Sequence, residues 1–125
     1  MSRHILIVED EPTLRDVFRR VLESSGYRIS EAGTGAEARA AVLADMPDLV
    51  MLDLGLPDVS GLDIAREIRN DPATAHIPVI ALTGRAGVGD RQACLDAGCQ
   101  AYFAKPPSTK ELLRRLPRLM SGQGL

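Results

Sequence analysis

The chain has 125 residues, 45% of them apolar and 26% charged, with a formal net charge of -2. This size and composition fit one domain able to bury a real core. The charge balance gives no reason to expect nucleic-acid or membrane binding, no run is apolar enough to span a bilayer, and Met1-Ser2-Arg3-His4 leads into an apolar run rather than a signal peptide.

Strand and helix patterns alternate five times, with no linker, repeat or low-complexity stretch. The first strand is predicted over residues 4–8, where Ile5-Leu6-Ile7-Val8 ends in Glu9-Asp10. Leu14, Val17, Phe18, Val21 and Leu22 then form one helical stripe, with Pro12 in its first turn and Gly26 as its stop. The second strand is placed at 27–31, and the capping-box pattern Thr34-Gly35-Ala36-Glu37 opens the second helix. The third strand, 48–53, closes on Asp53, and Ser60-Gly61-Leu62-Asp63 starts the third helix by the same logic. The fourth strand, 77–83, ends in Thr83, and its helix is expected from near Asp90 to Gly98. The fifth strand, 100–104, ends in Lys105-Pro106. Ser108-Thr109-Lys110-Glu111 then opens a helix striped by Leu112, Leu113, Leu116 and Leu119, which Pro117 is expected to bend or shorten. The strands read as short, β-branched and nearly all apolar, which suits a parallel sheet covered on both faces. Cys94 and Cys99 read as reduced packing thiols, and His4 and His76 as structural or solvated.

Five right-handed βα units predict a three-layer α/β sandwich, a doubly wound parallel five-stranded sheet of flavodoxin-like order 2-1-3-4-5. In that order Glu9-Asp10 and Asp53 meet at the switch point, with Thr83 and Lys105 from the next two strands. Three carboxylates repel one another and need a positive partner. Oxygen ligands without His or Cys select a hard cation, and Mg²⁺ is the usual choice where phosphate is handled. A carboxylate can act as a nucleophile and carry an acyl phosphate. In this reading Asp10, helped by Glu9, holds the metal with Asp53 and the Gly55 carbonyl. Asp53 also attacks phosphorus, the Thr83 hydroxyl and Lys105 each take a phosphoryl oxygen, and Gly55 and Gly84 leave room for a phosphodonor.

These residues resemble the receiver domain of two-component response regulators. The motifs are Val8-Glu9-Asp10-Glu11, Leu52-Asp53-Leu54-Gly55-Leu56-Pro57 with Gly61, Ala81-Leu82-Thr83-Gly84 and Tyr102-Phe103-Ala104-Lys105-Pro106. Ala75-His76-Ile77-Pro78-Val79-Ile80 and Gly98-Cys99-Gln100-Ala101-Tyr102 look like stand-alone receivers of the CheY and DivK type and like the receivers of hybrid kinases. The resemblance implies a single CheY-like receiver domain over residues 1–125 with no effector domain behind it. It implies a cytoplasmic phosphorelay protein, not a turnover enzyme, whose Asp53 accepts phosphate from a sensor histidine kinase or histidine phosphotransferase. Glu9-Asp10 replaces the family's usual Asp-Asp pair, and Gly84 its usual Ala, a change expected to loosen that loop. Thr83 and Tyr102 are the implied switch, acting on the face made by the fourth helix, fifth strand and fifth helix.

Glu11, Thr13, Leu14, Leu56 and Pro106 are expected to form the donor-docking rim. Arg91, Gln92, Tyr102 and Lys110 are expected to meet a downstream protein, a kinase being one candidate, with no direct nucleic-acid binding. Arg85 is a candidate second contact to the phosphoryl group, and the chain is expected to be a monomer or a weak phosphorylation-dependent dimer. Rival readings are a receiver used only for docking, a receiver cut from a hybrid histidine kinase, a flavin or nucleotide binder, and a Mg-dependent phosphohydrolase. The last would carry a second Asp where Gly55 stands, and the nucleotide binder a phosphate loop after the first strand.

Overall fold

The computed structural model describes residues 3–84 and 88–121. Its elements run β1 (His4–Val8), α1 (Pro12–Ser24), β2 (Arg28–Ala32), α2 (Gly35–Ala44), β3 (Leu49–Asp53), α3 (Gly61–Asn70), β4 (Val79–Thr83), α4 (Val88–Asp96), β5 (Ala101–Ala104) and α5 (Thr109–Met120). The strands form one parallel sheet in the order β2-β1-β3-β4-β5, as the alternating pattern predicts. Among the described residues no helix is long and apolar enough to cross a membrane.

Side chains alternate across a strand, so the sheet divides the apolar residues between two faces. Ile5, Ile7, Leu49, Met51, Ile80 and Leu82 meet Phe18 and Leu22 of α1 and Leu112, Leu116 and Leu119 of α5. Leu6, Val8, Val50, Leu52, Val79 and Ala81 meet α2, α3 and Cys94 of α4. Each large aliphatic side chain buried this way contributes about 1.5–3 kcal/mol. Val17 stands off the α1 stripe and is 45% exposed.

β2 does not match the expectation of an apolar strand buried on both faces. Arg28 and Glu31 are exposed, because β2 is an edge strand whose sole partner is β1. Charge at a sheet edge discourages further pairing. β4 begins at Val79 rather than residue 77, because Pro78 has no N–H for the ladder and offers only its carbonyl, which accepts Val50 N–H at 3.0 Å. α4 starts at Val88, two residues before Asp90. Pro117 does not shorten α5, which runs on to Met120. The proline removes only the bond to the Leu113 carbonyl near the helix end, while Leu116 and Leu119 keep the last turns buried.

The caps follow the sequence with one shift. Thr34 Oγ1 accepts Glu37 N–H at 3.1 Å, but Glu37 Oε1 reaches Gly33 N–H at 2.7 Å instead of the Thr34 amide. Gly26 (φ 94°) and Gly98 (φ 97°) take the left-handed conformation that follows a helix end. Cys94 and Cys99 are reduced and buried, and burial together with the neighbouring Cys94 thiol pushes Cys99 up to about 12.

Candidate functional site

Parallel pairing brings four strand ends to one edge. Val8 aligns with Leu52, so the next residues, Glu9 and Asp53, leave the sheet side by side. Thr83 aligns with Ala104, and Lys105 N–H then donates to the Thr83 carbonyl at 2.8 Å. Glu9, Asp53 and Thr83 are buried at 0%, 4% and 8% exposure, while Asp10 is exposed. Glu9, Asp10 and Asp53 each place a carboxylate oxygen within 4.8 Å of the others. Lys105 Nζ lies 2.6 Å from Glu9 Oε1 and 3.1 Å from Asp53 Oδ1. Of the expected pocket residues, the side chains of Glu9, Asp10, Asp53 and Lys105 thus come together.

Backbone groups fix these side chains. Gly55 N–H donates to Asp53 Oδ1 at 3.0 Å, and Glu11 N–H to Glu9 Oε2 at 3.1 Å. Gly61 has to be small, since a Cβ there would stand 2.5 Å from the Asp53 carbonyl oxygen. A Cβ at Gly84 would meet nothing among the described residues within 4 Å.

Burial alone would raise the Asp53 carboxyl, but the Gly55 N–H, an Asp10 hydrogen bond and the Lys105 ammonium outweigh it and hold Asp53 below the usual range. Glu9 goes the other way. Its burial, with help from the Asp53 charge, exceeds the opposing pull of Lys105 and the Glu11 N–H, so its carboxyl is raised. Burial also works against the Lys105 charge, but Glu9 and Asp53 prevail and keep it firmly protonated.

Among the described residues, three carboxylates meet one ammonium, which leaves surplus negative charge. Glu9 Oε1 is buried against the Lys105 ammonium, which Asp53 Oδ1 also shares. An all-oxygen donor set with surplus negative charge fits a hard divalent cation such as Mg²⁺.

The expected rim and output residues lie outside this core. Glu11 caps α1, its carboxylate accepting Thr13 and Leu14 N–H at 3.2 and 2.7 Å. Thr13 and Pro106 are exposed, and Leu14 and Leu56 are half-buried. Arg91 and Gln92 are exposed on α4, where the Gln92 amide donates to Asp96 Oδ1 at 2.8 Å. Lys110 is exposed on α5, and Tyr102 is half-buried against the α2–α3 face of the sheet. Arg85 lies outside the described residues.

Two residues near the pocket escaped the sequence reading. Arg15 Nη1 donates to the Glu9 carbonyl at 2.8 Å while its Nε stands 3.5 Å from Glu31 Oε1, holding the turn that presents Glu9 and Asp10. Asp58 reaches α2. The only sequence signal for either is a polar residue near a turn.

The profile of the response regulator receiver domain matches residues 5–117. The polar-differentiation response regulator DivK of Brucella ovis is 36% identical over 116 residues, covering 93% of this chain and 94% of that protein. The receiver domain of a sensor histidine kinase from Pseudomonas aeruginosa PAO1, solved with a magnesium ion coordinated in its active-site cleft, has a TM-score of 0.88 and 37% identity, covering 97% of this chain and 99% of that one. A CheY-like receiver domain protein from Methanospirillum hungatei JF-1 has a TM-score of 0.91 and 28% identity, covering 98% and 97%.

Proposed function

The chain belongs to the response regulator receiver family, and from that premise we propose that it is a phosphorylation-controlled signalling switch whose phosphoryl acceptor is Asp53. A phosphoryl-accepting role is general to the family. The observation that carries the assignment to Asp53 is its setting: a buried carboxylate oriented by Gly55 N–H, 3.1 Å from Lys105 and within 4.8 Å of the Glu9 and Asp10 oxygens.

Glu9, Asp10, Asp53 and the Gly55 carbonyl are the groups that would hold Mg²⁺. When bound there, the ion would offset carboxylate charge and polarise the phosphoryl group. Asp53, held below the usual carboxylate range, is ionised at neutral pH and needs no base. One of its oxygens forms the bond to phosphorus as the bond from phosphorus to the donor imidazole nitrogen breaks. The electron pair leaves with that nitrogen, and a donor ring already protonated on its other nitrogen departs as neutral imidazole. The Lys105 ammonium and the Thr83 hydroxyl stabilise the phosphoryl oxygens.

The added charge then draws Thr83 inward, and Tyr102 follows, so that the α4–β5–α5 face changes its partner preference. The donor, a histidine kinase or histidine phosphotransferase, docks at Glu11, Thr13, Leu14, Leu56 and Pro106. A downstream protein meets Arg91, Gln92, Tyr102 and Lys110. Residues 1–125 act as one cytoplasmic receiver domain, which catalyses only its own phosphorylation and slow dephosphorylation.

Incubation with Mg²⁺ and acetyl phosphate should add one phosphoryl mass to the intact protein, and Asp53→Asn or a chelator should abolish the gain. An undiminished gain in Asp53→Asn would refute the assignment.

A further inference from the structure

The loop from Leu54 to Ser60 carries Gly55, whose N–H orients Asp53 and whose carbonyl belongs to the metal site proposed above. Its two ends are anchored by backbone bonds. Leu54 N–H donates to the Leu82 carbonyl at 3.0 Å, and Gly61 N–H to the Leu54 carbonyl at 3.1 Å. Between those ends, among the described residues, the hydrogen bonds that tie Gly55–Val59 to an element beyond β3 all come from the Asp58 carboxylate. Asp58 Oδ1 accepts Gly35 N–H at 2.8 Å and Oδ2 accepts Ala36 N–H at 3.0 Å. Oδ1 also accepts Val59 N–H at 3.1 Å, which fixes the carboxylate against its own loop.

The partners of Asp58 are the first two amides of α2, whose third is taken by Thr34 Oγ1. These amides have no partner within the helix and sit at the positive end of its dipole, so a carboxylate is the acceptor that suits them. Accordingly the Gly35 N–H, followed by the other backbone donors, holds the Asp58 carboxyl below its usual range. Packing closes the same junction. A Cβ on Gly35 would stand 2.4 Å from Val59 Cγ2, so the Val59 side chain packs directly on the α2 backbone where only glycine leaves room.

We infer that Asp58 is a positioning residue for the metal site, acting by clamping the Gly55 segment to the N-terminus of α2. The inference rests on the Mg²⁺ site proposed for Glu9, Asp10, Asp53 and Gly55. Asp58 contacts neither the nucleophile nor the metal ligands. Its effect passes through the loop backbone, in the way that groups supporting metal ligands set the affinity of a site.

The test is Mg²⁺ titration of the intact protein, followed by amide NMR shifts well below the unfolding temperature, for wild type and three variants. Asp58→Ala should weaken Mg²⁺ binding roughly tenfold. Asp58→Asn keeps one acceptor oxygen and should fall between wild type and Asp58→Ala, which also covers the case in which the alanine variant does not fold. Thr34→Ala removes a cap from the same helix end without touching the loop, so it should lower Tm and leave Mg²⁺ affinity unchanged. Equal affinity in wild type and the Asp58 variants would overturn the inference and leave the metal site standing. So would an equal loss in Thr34→Ala, which would mark a general effect of α2 stability. Absence of Mg²⁺ binding in wild type would remove the metal site and this inference with it.

Discussion

At the amino end of β1, His4 is buried among polar groups of β2 and the residue just before β3. Its N–H donates to Asp48 Oδ2 and its carbonyl accepts Asp48 N–H, both at 2.7 Å, and its Nε2 lies 2.6 Å from Ser30 Oγ. Nearby, Arg28 Nη1 pairs with Asp45 Oδ2 at 2.6 Å, and that oxygen stands 3.9 Å from His4 Nδ1. At the carboxyl end of the same strand, Glu9 and Asp53 are buried with Asp10 beside them, and Lys105 is the cation in contact. One end ties β1, β2 and β3 together through hydrogen bonds and the Arg28–Asp45 pair. The other keeps negative charge in surplus, which costs stability and suits the binding of a cation and a phosphoryl group.

The largest effect should come from removing the cation. Lys105→Ala leaves Glu9 and Asp53 facing each other, and metal-free protein at neutral pH should lose about 2–3 kcal/mol in urea denaturation. Arg28→Ala at the amino end breaks an exposed pair and should cost far less. Losses of equal size would erase the distinction between the two ends.

Glu9→Gln should have the opposite sign. The folded carboxyl of Glu9 is raised, so its contribution is fully present below the ordinary value of 4.5 and is lost as pH rises through the raised value. At neutral pH without metal the variant should therefore be more stable than wild type, by on the order of 1 kcal/mol. This gain should vanish in acid, and added Mg²⁺ should raise Tm less than in wild type. Thermal melts across pH, with and without Mg²⁺, would decide; a neutral-pH loss would contradict the account of Glu9.

The smallest effect belongs to Asp45. Its hydrogen bond from Arg28 leads the causes that hold the carboxyl below the ordinary 3.8, so its contribution is present above 3.8 and is lost as pH falls through the lower folded value. Asp45→Asn should give a small loss at neutral pH that shrinks in acid and in high salt, read from urea midpoints. The two ends would then answer acid with opposite signs. A loss independent of pH and salt would mean that the Arg28 pair is not its source.

Much of this was legible before the fold. Apolar runs ending in Glu9-Asp10, Asp53, Thr83 and Lys105 place the pocket, because a parallel sheet puts those ends on one edge. Gly26, Thr34 and Ser108 mark helix ends by local rules that need no tertiary context. What stayed hidden depends on neighbours far along the chain. Asp58 caps a helix that begins 23 positions earlier, not the helix that follows it. Arg15 works through a backbone carbonyl, which carries no sequence signature. The polarity of β2 follows from its place at the edge, and Pro117 is tolerated because the leucines around it are buried.

The sulfurs at the end of α4 give that helix a chemical clock. Cys94 and Cys99 are both buried, and with the Cys99 thiol pushed up to about 12 an alkylating reagent meets almost no thiolate in the closed molecule. Alkylation must proceed through the fraction of molecules in which the α4–β5 corner has come apart. Its rate therefore counts those excursions. Any ligand or partner that steadies the corner will slow it, and any that loosens the corner will speed it, with no label added to the protein.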